Sequence, residues 1–208
     1  MENISLESMI EKIEQLHPQM AAVLLFSLTP QMSGTILSTI PLGLAFELTE
    51  RILATKDFDE SIFKGLEEMF DSIYPDPSRL EENKSELLVY ALEYTSYIRR
   101  KDIIIHLTED CSITLPQKKI KIMEDLLTLN SPALTEQIIS LDLKDLKCSL
   151  RIASESLKDY ILSFFSEEIS SEIKSDLDFA GPVPIDEIED ACQRIIDVLN
   201  NSLVINNM

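Results

Sequence analysis

The sequence predicts an all-α fold, and three features of the residue pattern support this prediction. Apolar residues recur at spacings of three and four along almost the whole chain, as they do on one face of a helix. Strict apolar–polar alternation, which indicates a half-buried strand, is hard to find. Glycine occurs only 4 times in 208 residues. We therefore expect an armadillo-like helical repeat superhelix, in which each unit of short helices buries its apolar face on the next.

Helix-start signals define the elements of the first half. Ser5 is placed to cap a first amphipathic helix. Pro18 and Pro30 each begin a helix, because proline has no amide hydrogen to lose at a first helical position, and Thr29 can cap the second of these helices. The helices predicted after the first one in this half are 18–28, 30–39, 42–54, 59–74, 83–97 and 98–107.

A domain boundary is predicted at 108–119, TEDCSITLPQKK, where the helical pattern is weakest and Pro116 breaks helices. Two helical domains, 1–107 and 120–208, are therefore expected on either side of this linker. The helices predicted beyond the boundary are 119–128, 132–140, 143–152, 155–165, 167–179 and 184–200.

Two stretches of the chain, 28–41 and 129–142, resemble each other. Each contains a leucine, a short helix that begins with proline, an Ile-Leu or Ile-Ile pair and a following helix. This similarity favours repeated stacking units, which present surfaces to protein partners more often than they hold catalytic clefts.

The charge balance excludes several classes of partner. The net charge is −19 and the isoelectric point is near 4.4, so a phosphate backbone or an anionic membrane would be repelled. The densest basic runs, 99–101 and 118–119, are short. The first residues carry acids where a signal peptide needs a basic segment, and the apolar runs are shorter than the ~20 residues that span a bilayer. We expect a cytoplasmic protein without direct membrane insertion and without a nucleic acid partner.

No set of residues predicts catalysis. A Gly-x-Ser-x-Gly elbow, a dinucleotide fingerprint and a P-loop are all missing, and neither His17 nor His106 has a catalytic context. The three cysteines, Cys111, Cys148 and Cys192, are far apart and form no Cys-x-x-Cys pair, which argues against a zinc site and a disulfide framework. His106 is interpreted as a packed or capped histidine. No enzyme activity, cofactor or metal is predicted, and an enzyme is an alternative that would need a compact polar pocket around His17 or His106.

The triplet His17-Pro18-Gln19 needs an explanation, because a helical core has no use for an exposed histidine, proline and glutamine at a helix start. From this triplet onward, the sequence resembles the middle domain of the FliG flagellar motor switch family. The likeness continues through 22–25, Leu28, Pro30, 36–37 and Pro41 in the family's order. The second half resembles the family's C-terminal domain at 124–127, Asp142, 144–146 and 177–199.

The resemblance implies a non-enzymatic rotor protein of the flagellar switch complex, the C-ring. In the family, the surface that corresponds to His17, Pro18 and Gln19 binds the switch protein FliM, so these residues are expected to bind a FliM-like partner. Neighbouring family members stack on one another, which implies self-association into a ring. The expected location is peripheral, at the cytoplasmic face of the inner membrane in a flagellar basal body. The family's N-terminal domain, which joins the ring protein FliF, has no counterpart in the sequence.

Several departures from the family pattern affect the partner-binding face and the hinges. Leu16 stands where the family has glutamate before His-Pro-Gln, and the family's flexible Gly-Gly pair falls near 83–84, which is Asn-Lys. The family's Met-Phe-x-Phe hinge corresponds to Ile120, Ile122 and Met123, which are apolar but not aromatic. A stiffer hinge is expected, since asparagine and lysine cannot freely adopt the backbone angles of glycine.

The charged ridge that meets the stator protein MotA is also altered. Asn130 and Ser131 replace the Asp-Asp at the start of that helix, and Ile139 replaces its arginine. Because torque through this ridge depends on charge complementarity, we expect a neutralised ridge and no ordinary MotA-type contact. Acids elsewhere, such as Glu136, could restore a complementary field. Two alternatives therefore stay open: a torque-competent rotor protein with relocated charges, and a ring scaffold of a non-motile export apparatus.

Overall fold

The chain divides into two compact helical units. The computed structural model describes residues 5–56, 58–70, 77–116, 119–129 and 132–205. Unit 1 covers Met1–Pro116 and unit 2 covers Gln117–Met208, so the division falls inside the segment 108–119. Every regular element in the described ranges is helical, which confirms the predicted all-α fold class. None of these helices combines the length and the apolar character that a transmembrane span requires.

The described part of unit 1 is a series of short helices that ends in a π-helical turn. The α-helices are α1 (Leu6–Gln15), α2 (Pro18–Ser27), α3 (Pro30–Thr39), α4 (Leu42–Ala54), α5 (Glu60–Met69), α6 (Pro77–Glu93) and α7 (Tyr97–Ile105), and the π-helix is His106–Asp110. Pro18 and Pro30 occupy first helical positions, and the side chains of Ser5 and Thr29 accept hydrogen bonds from the amides three residues later. The predicted starts of α2 and α3 are therefore confirmed.

Helix α2 lies at the centre of unit 1. All six residues of 21–26 are buried, and the helix packs against α1, α3, α4, α5 and α6. A helix that is apolar on all sides is stable only when other elements surround it. This central position fixes the start of α2, with its His-Pro-Gln triplet, relative to the neighbouring end of α4.

Two helix limits in unit 1 differ from the sequence prediction. The helix predicted at 59–74 ends at Met69, and residues 71–76 lie outside the described ranges. The helix predicted to start at Asn83 begins at Pro77, while Asn83 adopts non-helical angles (φ −128°, ψ 21°) inside α6. Pro77 is a favourable first helical residue. Asparagine in a helix interior competes for backbone hydrogen bonds, so a kink at Asn83 gives the same sequence signal as a helix start.

Unit 2 begins with a 3₁₀-helix, Met123–Thr128, where an α-helix over 119–128 was predicted. The carboxylate of Asp125 accepts hydrogen bonds from the amides of Lys121 and Ile122, at 2.7 and 3.2 Å, which holds the chain in a turn before the helix. The later elements are α8 (Pro132–Ile139), α9 (Leu143–Ser149), a 3₁₀-helix (Leu150–Ile152), α10 (Glu155–Leu162), α11 (Glu167–Phe179) and α12 (Ile185–Ile205). The core forms where α12 packs along α8 and α9.

Candidate partner-binding face

The triplet His17-Pro18-Gln19 forms the start of α2. His17 is exposed and acts as the N-cap, because its Nδ1 accepts a hydrogen bond from the amide of Gln19 at 3.3 Å. With Nδ1 as the acceptor, the proton of the neutral ring lies on Nε2 and can be donated to a partner. Pro18 and Gln19 are half-buried. The triplet therefore offers one exposed imidazole on a helix start whose backbone is fixed.

Gln19 is held by the end of α4. Its Nε2 donates to Oγ1 of Thr55 at 3.2 Å, and Thr55 in turn donates to the carbonyl of Arg51 at 2.8 Å. This chain of hydrogen bonds orders the carboxamide without help from a ligand. Sequence reasoning missed the contact, because Thr55 lies 36 residues further along the chain.

A groove of about 560 Å³ lies beside Gln19 along α4. Its walls include Phe46, Arg51 and His106. Arg51 forms an ion pair with Glu47 at 2.8 Å, and the rings of Phe46 and His106 stack with centroids 4.2 Å apart. A concave surface that combines aromatic and charged groups is typical of binding sites for other molecules.

The predicted stator-facing helix corresponds to α8. Asn130 and Ser131, just before it, lie outside the described residues. Ile139, the last residue of α8, is 50% exposed, whereas its neighbour Ile138 is fully buried. The position that the sequence analysis aligns with the family's arginine thus presents an apolar side chain on the surface, and Glu136 is exposed on the same helix.

The predicted hinge residues belong to the core of unit 2. Ile120, Ile122 and Met123 are all nearly buried, at 5%, 2% and 1% exposure. Asn200 of α12 makes two hydrogen bonds to the backbone of Ile120, accepting from its amide at 2.8 Å and donating to its carbonyl at 2.9 Å. The start of unit 2 is therefore attached to its last helix.

One cluster of reactive side chains was not predicted. His106 lies within 4 Å of Glu50, Asp110 and Cys111, at 3.9 Å, 2.9 Å and 3.5 Å respectively. Desolvation raises the pKa of the Cys111 thiol, and the charges of Glu50 and Asp110 act in the same direction. The histidine is packed on Phe46 and hydrogen-bonded, as the sequence interpretation held, but it is also the centre of a group of potential metal ligands.

The fold places the chain among all-helical proteins built from short, stacked helices. Two family models match it in sequence: the FliG middle domain over residues 7–73 and the FliG C-terminal domain over residues 114–202. The chain is therefore a FliG-like protein that contains the middle and C-terminal domains of this family.

Characterised relatives agree with this assignment. The flagellar motor switch protein FliG of Bacillus subtilis (strain 168) is 26% identical over 198 residues, which cover 93% of this chain and 59% of the relative. The protein of the same name from Thermotoga maritima is 24% identical, over 92% of this chain and 58% of its own length. The chain thus spans less than two thirds of the length of these relatives.

Solved FliG structures are also similar to the chain. Residues 86–343 of FliG from H. pylori align with 96% of this chain and 92% of that one, at 18% identity and a TM-score of 0.40. Full-length FliG from Aquifex aeolicus aligns over 94% of this chain and 66% of that one, at 19% identity and a TM-score of 0.39.

Proposed function

We propose that this protein is a non-enzymatic adaptor of a flagellar motor switch complex, and that it binds a FliM-like switch protein through the face around His17, Pro18 and Gln19. The observation that carries the proposal is the match to FliG middle and C-terminal domains in the family's order. The curated relatives that match over more than 90% of the chain are flagellar motor switch proteins.

The geometry of the triplet supports a docking role. The exposed imidazole of His17 leaves its second nitrogen for a partner, and the ordered carboxamide of Gln19 borders the groove along α4. Groups that are already ordered lose little conformational entropy on binding. Self-association into a ring and a peripheral position at the cytoplasmic face of the inner membrane belong to the same proposal.

Replacing His17 with asparagine together with Gln19→Ala is expected to abolish capture of the FliM middle domain from the same source. Asparagine retains a side-chain acceptor at the N-cap, so the double variant removes the imidazole and the carboxamide while keeping the helix start. Binding is measured by pull-down and by size-exclusion chromatography with light scattering. Circular dichroism verifies that the helical content is unchanged.

Gln31→Ala provides the matched control for this experiment. Pro30-Gln31-Met32 repeats the order of Pro18-Gln19-Met20 at the start of α3, and Gln31 is exposed. Full binding by the Gln31 variant, with loss in the double variant, assigns docking to α2. Failure of the unchanged protein to bind, under conditions in which FliG of Bacillus subtilis binds its own FliM, would contradict the proposed function.

The proposal includes an altered contact with the stator. The exposed Ile139 offers no charge to a MotA-type partner, and charge complementarity is the physical basis of that contact. A torque-competent protein with relocated charges remains the competing function, favoured by the exposed carboxylate of Glu136. A ring scaffold of a non-motile export apparatus is the other alternative.

Grafting residues 130–139 of this chain into FliG of Bacillus subtilis is expected to reduce swarming severely. The same graft with Asn130→Asp, Ser131→Asp and Ile139→Arg is expected to restore it, because these changes return the charges of the ridge. A surface change such as Ile139→Arg should alter the free energy of unfolding by only about 0.5 kcal/mol. A graft with Ile139→Gln in place of Ile139→Arg separates the effect of charge from that of polarity. Full swarming by the unmodified graft would contradict the neutralised ridge and favour a torque-competent protein with relocated charges.

A further inference from the structure

Three potential metal ligands meet at one place in unit 1. Glu50 lies on α4, His106 is the first residue of the π-helix, and Cys111 follows that helix directly. One ligand atom from each of the three residues lies within 4.8 Å of the other two. The three side chains carry oxygen, nitrogen and sulfur donors, so their chemistry is that of a transition-metal site.

The distances suit tetrahedral coordination. Zinc with bonds of about 2.0–2.1 Å to nitrogen and 2.3 Å to sulfur places these two ligand atoms about 3.5 Å apart. Nε2 of His106 and Sγ of Cys111 are 3.5 Å apart. Glu50 Oε2 lies 3.9 Å from the same nitrogen. The side chain of Glu50 is 51% exposed, so a small rotation brings this oxygen to bonding distance from an ion held by His106 and Cys111.

Asp110 completes the arrangement on the other side of the imidazole. Its Oδ2 lies 2.9 Å from Nδ1 of His106. Because a carboxylate only accepts, Nδ1 carries the proton and Nε2 presents its lone pair toward Cys111 and Glu50. Histidine ligands of zinc are commonly oriented by a carboxylate in this manner. The stacked ring of Phe46 further fixes the plane of the imidazole.

The backbone conformation brings these residues together. The amide of Cys111 donates a hydrogen bond to the carbonyl of His106, five residues earlier, at 3.1 Å. The amide of Ile113 donates one to the carbonyl of Leu107 at 2.8 Å. Ser112 adopts φ 55°, an uncommon conformation for a residue other than glycine. A π-helical turn is rare and frequently marks a functional site. This local geometry places the thiol beside the imidazole.

We propose that Glu50, His106 and Cys111 bind a divalent transition-metal ion of the zinc type, with Asp110 orienting the histidine and water in the fourth position. A thiolate and an imidazole select zinc-like ions over Mg²⁺ and Ca²⁺, which prefer oxygen ligands. Two grooves lined in part by Glu50, one of about 560 Å³ that also includes His106 and one of about 710 Å³ that also includes Cys111, give solvent access. The site does not depend on FliM binding.

A metal at this place would join α4 to the last part of unit 1. Glu50 belongs to α4, whereas His106 and Cys111 belong to the segment that leads to Pro116. An ion that binds the folded form only stabilises that form by mass action. Metal binding is therefore expected to raise the unfolding temperature of unit 1.

Cobalt absorption tests the proposal on the tag-free and fully reduced 208-residue chain. We expect one equivalent of Co²⁺ to produce a thiolate-to-cobalt charge-transfer band together with the visible bands of tetrahedral cobalt, and Zn²⁺ to remove both. Cys111→Ser should abolish the charge-transfer band. Asp110→Asn should weaken metal binding about 10- to 100-fold, since it replaces the carboxylate that orients His106 with a neutral amide and leaves all three ligands in place.

Cys148→Ser is the matched control, because Cys148 is also a free, half-buried thiol but belongs to unit 2. Glu50→Gln tests the site in a variant that alters only an exposed side chain, and it should lower the affinity for Co²⁺ without changing the helical content. A charge-transfer band that survives in Cys111→Ser, one that disappears in Cys148→Ser, or no band with cobalt in excess would each overturn the proposal.

Discussion

Replacing Gly34 with alanine is expected to lower the free energy of unfolding of unit 1 by roughly 3 kcal/mol, near the upper end of the range for overpacking a core. Gly34 lies on α3, where this helix meets α6. A Cβ atom at this position would overlap the carbonyl oxygen of Ala91 and lie 2.7 Å from the backbone carbon of Tyr94. Backbone atoms cannot rotate away, so the two helices would have to separate.

Gly43→Ala is the control for this prediction. Gly43 is the second residue of α4, and among the described residues a Cβ at this position would have no neighbour within 4 Å beyond the local backbone of its own helix. Alanine loses less conformational entropy than glycine when a helix forms, so this variant should be stabilised by about 0.4–1 kcal/mol. The same single methyl group therefore has opposite effects at two helical glycines.

Urea denaturation followed by far-ultraviolet circular dichroism measures both variants. The chain has no tryptophan and two compact units, so the curves are fitted with a separate transition for each unit. The midpoint of unit 1 should fall in the Gly34 variant and rise slightly in the Gly43 variant. An unchanged midpoint for Gly34→Ala would mean that α3 and α6 are farther apart than the structure shows.

Helix starts were predictable because their signals are local. Ser5, Thr29 and the two prolines act on amides within one turn, and the structure places α2 and α3 at the predicted residues. The triplet at 17–19 could likewise be located, since it is contiguous in sequence. The groove beside the triplet could not be located, because Thr55 contacts Gln19 only after α4 packs against α2.

The cluster around His106 was not predictable from helical periodicity. In an α-helix, residues five apart lie on different faces, so His106 and Cys111 would not meet. The π-helical turn makes the bond across five residues that aligns them, and Glu50 comes from a helix more than 50 positions earlier. The sequence interpretation placed His106 on a regular α-helix, and the chain forms a π-helix here instead.

Replacing Asn200 with alanine is expected to destabilise unit 2 by about 2–4 kcal/mol, because each buried backbone group that loses its partner costs about 1–3 kcal/mol. Asn200 is the partner of both the amide and the carbonyl of Ile120, a residue that is only 5% exposed. Asn201→Ala removes the same side chain from the next, exposed position of α12 and should change stability by no more than about 0.5 kcal/mol.

Hydrogen exchange relates this prediction to the proposed hinge. A rearrangement at Ile120 must break both bonds to Asn200, and an opening that costs about 3 kcal/mol is populated at roughly 1% or less. Asn200→Ala should therefore accelerate exchange at the amides of 120–123 more than at those of α9. Equal exchange in the Asn200 and Asn201 variants would mean that the two bonds do not hold this segment. The order of this segment would then have to come from the buried side chains of Ile122 and Met123 alone.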